Sequence, residues 1–208
     1  MRPATHQRLH EPLHSAIDYA LRLHTAVGRG AELCLAKEQA VLTNLALEVP
    51  DGGADPAFRG ARYALVCWLD ELFICHSDWA DRWSERKLES TLYGGNDRAW
   101  DFWRQAKLAA AQTDDDALGA YYLCAALGFR GEMRTDPAAL NSWFDQTRTR
   151  VTRHARQRTP QAAGSRRRRA GAPLRGEARL RRMLAIAAVV TIALAPLATY
   201  AVMQRLLA

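Results

Sequence analysis

Apolar residues recur along most of this chain at spacings of three and four, the period of a helix with one buried face. Leu13, Ile17, Ala20, Leu21, His24 and Val27 share such a face and predict a first helix over 13–27, closed by Gly28 and Gly30. A second is predicted over 31–49, with Leu33, Leu35, Ala40, Leu42, Leu45 and Leu47 apolar, broken by Pro50, Asp51, Gly52 and Gly53. Asp55 can cap a third and Pro56 suits its first position. Phe58, Ala61, Leu65, Trp68, Leu69, Leu72 and Phe73 give this third helix a broad apolar face, widened by Val66 and Cys67. A face that wide needs partners on more than one side, which makes it the predicted centre of a helical bundle.

After an aromatic-rich connection over 77–84, Ser84 can cap a fourth helix over 85–92, ended by Gly94 and Gly95. Asn96 can cap a fifth over 97–112, with Trp100, Trp103 and Leu108 inward. Asp114, Asp115 and Asp116 favour the N-terminus of a sixth, which Leu118, Tyr121, Tyr122, Cys124, Ala125 and Leu127 carry to Gly128. Gly131 follows the turn, and Asp136–Pro137 opens a seventh holding Leu140, Trp143, Phe144 and Val151. No stretch alternates as a strand does, so the expected class is all-α, a bundle of about seven helices.

The pattern changes at 183–203, MLAIAAVVTIALAPLATYAVM, which has no charged residue and only Pro196 as a helix breaker. As a helix it would run about 31 Å, matching a hydrocarbon core of roughly 30 Å. It is expected to be a transmembrane anchor. Between Arg148 and Arg182 there are thirteen arginines, no lysine and one acid, Glu177. Arg166, Arg167, Arg168 and Arg169 are consecutive, and Arg179, Arg181 and Arg182 abut the span. Positive charge beside a span stays cytoplasmic, so the body is expected in the cytoplasm. The opening MRPATHQRLHEPLHSA lacks the apolar core of a signal peptide, which predicts a tail-anchored, single-pass topology. The expected organisation is a disordered N-terminus over 1–12, a helical domain over 13–155, a flexible basic linker over 156–182, the span over 183–203 and a short periplasmic tail over 204–208. Ala185, Ala188 and Ala195 offer small residues for packing spans, which leaves a homodimer open.

Charge sharpens this division. The net charge is +7, yet residues 148–208 carry fourteen arginines against one glutamate, which leaves −6 for residues 1–147. An acidic body sits on a basic neck. Next to a span that neck suits anionic lipid head groups better than nucleic acid. The four cysteines, Cys34, Cys67, Cys75 and Cys124, form no CxxC pair and fall within apolar helical patterns, so buried reduced thiols are expected.

Candidate chemistry is sparse. His6, His10 and His14 have helical metal-ligand spacing, but Pro12 interrupts the helix they need and no acid or thiol joins them. No metal or cofactor is expected. Asp70 and Glu71 are adjacent on the most apolar helix, about 100° apart, so they cannot both face one proton. Buried carboxylates need partners. The pair can cap a neighbouring helix, meet an arginine or line a docking groove. Asp78 and Trp79, in the connection after the third helix, are candidate partner contacts. There is no phosphate-binding glycine loop, GxSxG or HExxH. Two other function classes stay open: a tethered enzyme using Asp70, Glu71 or Asp101, which His24 or His76 beside them would favour, and a nucleic-acid binder using the neck.

Three stretches carry a family resemblance: RYALVCWLDELF over 62–73; Trp83 followed by LESTLYGG over 88–95; and YLCAALGFRG over 122–131. In order and spacing, together with the C-terminal span, the chain resembles the DotU/TssL family, the small inner-membrane components of type VI secretion systems, over roughly 13–151. It departs at 95–103, GNDRAWDFW, where the family usually has Gly-Glu and paired Phe. The resemblance implies a hook-shaped cytoplasmic bundle of seven or eight helices and a non-enzymatic scaffold. It further implies assembly with a TssM/IcmF-like membrane protein and a TssJ-like lipoprotein, and recruitment of baseplate components that are TssK-like and TssE-like. It also implies that Asp70 and Glu71 lie by a cleft used in contacts.

Overall fold

The computed structural model describes residues 7–52 and 55–158. The expected span, the neck from 159 onward, the tail over 204–208 and residues 1–6 lie outside the described residues. Among the described residues there are eight α-helices, one 3₁₀ turn and no strand: α1 Gln7–Val27, α2 Leu35–Glu48, α3 Gly60–Cys75, α4 Ala80–Ser84, α5 Leu88–Tyr93, α6 Arg98–Ala111, α7 Asp116–Ala126, the 3₁₀ turn Gly131–Thr135, and α8 Pro137–Arg158. No helix among them is long and apolar enough to cross a membrane.

α3 is the hub. Twelve of its sixteen residues are buried, and it packs against α1, α2, α4, α5, α6 and α7. Tyr63, Leu65, Trp68, Leu69 and Phe73 supply the bulk of its face. A second layer of aromatic rings joins α6, α7 and α8: Phe102 stacks on Phe129 at 3.9 Å, and Trp103 meets Trp143 edge-on at 5.1 Å.

Several boundaries differ from the periodicity. α1 begins at Gln7 and runs through Pro12. One proline near the start removes a single backbone bond, and burial of Leu9, Leu13, Ala16, Ile17, Ala20, Leu23 and Val27 along one side carries the helix past it. The expected disordered stretch over 1–12 is therefore helical from residue 7. α2 starts at Leu35, with Cys34 as its N-cap residue. Asp55 does cap, but it caps a turn, accepting the Ala57 N–H at 2.9 Å. α3 opens only at Gly60, whose φ of 66° lies in the left-handed region that favours glycine. The 77–84 connection contains α4, and Ser84 bonds back to the Ala80 carbonyl instead of capping α5. Asn96 accepts from Lys87, leaving Asp97 at the N-cap of α6. α8 extends to Arg158, past the expected start of the linker.

Trp100 points outward, 47% exposed, because the buried side of α6 is set by Asp101, Phe102, Gln105, Ala106 and Ala109. Leu21, Leu33 and Leu47 are likewise exposed. Cys67 and Cys124 are buried as expected, whereas Cys34 and Cys75 are exposed because they sit at helix ends.

Candidate functional site

The adjacent carboxylates of α3 hold two different parts of the surface. Asp70 is fully buried and turns toward α4 and α5. Its Oδ1 accepts the Trp83 indole N–H at 2.8 Å and the Leu88 N–H at 2.9 Å, and its Oδ2 accepts the Glu89 N–H at 2.9 Å. α5 is six residues long, and Lys87 at its N-cap position offers no side-chain acceptor. The first amides of a helix have no partner within it, and here a carboxylate from another helix supplies one. Burial pushes the Asp70 carboxyl up from its ordinary 3.8, against the lowering effect of these donors.

Glu71, one step round the helix, faces the other way. Its carboxylate accepts the Arg130 N–H at 2.9 Å, the Gly131 N–H at 3.3 Å and the Arg134 guanidinium at 3.0 Å. It clamps the link between α7 and α8. Arg130 strengthens the same link by donating to the Ala125 and Phe129 carbonyls, each at 2.8 Å.

Beneath α5 lies a third carboxylate to which the sequence reading gave no role. Glu89 is fully buried and accepts the Tyr63 hydroxyl at 2.8 Å and the Asp97 N–H at 3.1 Å. Tyr63 and Glu89 are 26 positions apart, too far for any local pattern to announce the pair. Asp101, a candidate for catalysis, is 2% exposed and held by Arg104 at 2.5 Å and Arg59 at 3.3 Å.

Asp78 is exposed, but its neighbour Trp79 is buried against Phe73, with ring centres 6.2 Å apart. Phe73 also stacks on Trp83 at 4.3 Å, so one aromatic column joins α3 to α4. The structure thus brings Asp70 and Trp79 to one side of α3 and sends Glu71 to another. The flanking arginines 166–169, 179, 181 and 182 lie outside the described residues. His24 meets the His76 carbonyl at 2.5 Å and the edge of Phe73, while the described partners of Asp70, Glu71 and Asp101 are tryptophan, backbone amides and arginine. His10 and His14 are neighbours along α1, their rings tilted with centres 6.0 Å apart, and no cluster of metal-ligating side chains occurs among the described residues. Chemically, this arrangement fixes surface segments.

Residues 51–205 match the model of the family described as type VI secretion system protein DotU. The chain belongs to the DotU family. It is accordingly a type VI secretion system component, and its family is one of structural components of that system. The match takes in all three stretches quoted above, and the whole of α3 to α8 with both carboxylate clamps. It leaves out residues 1–50, where α1 and α2 lie. No curated protein and no solved structure matches the chain.

Proposed function

We propose that this DotU-family protein is a non-enzymatic scaffold of the type VI membrane complex. It is held in the inner membrane by residues 183–203, with its helical body in the cytoplasm recruiting the baseplate. The observation that supports this is the reach of the family match, which runs from α3 to α8 and on through the uncharged stretch. The basic neck supports the orientation, since thirteen arginines before the stretch favour the cytoplasmic side. The partners it would hold are a TssM/IcmF-like membrane protein, a TssJ-like lipoprotein complex, and TssK-like and TssE-like baseplate components. A second copy and anionic lipid at the neck complete the set.

Asp70 and Glu71 serve docking in this reading by position. Asp70 is fully buried and Glu71 nearly so, so neither offers a partner much surface. They hold α5 and the 3₁₀ turn in place, and those exposed segments, with Asp78, meet the partner. The test is copurification of the full chain from membranes in mild detergent. Wild type should bring down membrane-complex and baseplate proteins, and Asp78→Lys should weaken the baseplate fraction while the fold stays intact. Recovery of the protein in the aqueous fraction, or companions of unrelated metabolic function, would overturn the proposal.

A further inference from the structure

We draw no further inference here: the strongest candidate, the groove of about 190 Å³ between α2 and α5 lined by Gln39, Ala40, Thr43, Asn44, Arg86 and Thr91, carries none because nothing in the structure shows what covers it.

Discussion

Trp83 donates its indole N–H to the Asp70 carboxylate at 2.8 Å, and that carboxylate also holds the first two amides of α5. One buried side chain therefore joins α3, α4 and α5. Asp70→Ala would leave three buried donors without an acceptor. Each such orphan costs roughly 1–3 kcal/mol, and relief from burying the carboxylate offsets part of the sum. Denaturant unfolding in detergent should show a loss of about 3 kcal/mol. Amide exchange should speed up first at Leu88 and Glu89. Unchanged protection at those two amides would contradict the clamp.

The same carboxyl gives a pH dependence of definite sign. Burial raises it above its ordinary 3.8, so the folded state holds this proton more tightly than the unfolded chain. Its contribution to stability is complete below the unfolded value and is lost as pH rises through the folded one. Asp70→Asn removes the titration. The stability advantage of wild type over Asp70→Asn should therefore be largest in acid and shrink as the pH rises above 3.8. Unfolding curves across the acid-to-neutral range check it, and a gap that widened with pH would mean the capping donors outweigh burial.

Glu71 separates backbone clamping from surface pairing. Its partner Arg134 has a side chain 52% exposed, and an ion pair so open to water is worth at most about 1 kcal/mol. The amides of Arg130 and Gly131 are the stronger claim on this carboxylate. Glu71→Ala should cost about 2–3 kcal/mol and Arg134→Ala under about 1 kcal/mol. Equal costs would show that the ion pair dominates. A consequence follows for docking experiments. A double Asp70→Ala, Glu71→Ala variant loosens both clamps, so its loss of binding must be compared with a stability measurement on the same sample.

Much of the fold was legible because burial repeats with helical period. α3 was marked as the hub by an apolar face too wide for one neighbour, and the structure surrounds it with six helices. Local signals located the start of α8, where Asp136 accepts the Ala139 N–H at 2.9 Å, but they misplaced the caps at Asp55, Ser84 and Asn96, whose side chains bond elsewhere. The N-terminus of α5 is held by Asp70 from eighteen positions back, and no short pattern shows that. Trp100 was misplaced for a related reason. It lies next to the inward set Asp101, Phe102 and Trp103, and apolarity alone does not say which edge of a helical face is covered. Asp70 and Glu71 were legible as carboxylates in need of partners, with capping and arginine pairing among the options. Both options are realised, one on each side of α3.

The thiols divide in a way that chemistry can count. Cys67 and Cys124 are buried, and burial pushes both thiols up, away from the reactive thiolate. Cys34 and Cys75 are exposed. A water-soluble disulfide reagent should modify Cys34 and Cys75 quickly in the folded protein and reach Cys67 and Cys124 only after denaturation. Rapid modification of Cys67 in the native protein would show that the contacts over α3 open readily.

Two glycines separate backbone strain from crowding. Gly131 and Gly30 both have positive φ, 51° and 73°. A Cβ on Gly30 would meet nothing within 4 Å, whereas one on Gly131 would lie 2.3 Å from the Ala99 carbonyl oxygen. That oxygen is backbone and cannot rotate aside, so α6 and the 3₁₀ turn would have to part. Gly30→Ala should cost about 1 kcal/mol, the strain of the conformation alone. Gly131→Ala should cost about 3 kcal/mol, since strain and overpacking act together, and should weaken the Glu71 clamp built on the same residue. Comparing the two by unfolding cancels the shared strain and leaves the contact between the turn and α6. Equal costs would mean that the turn shifts freely and that Glu71 holds it loosely.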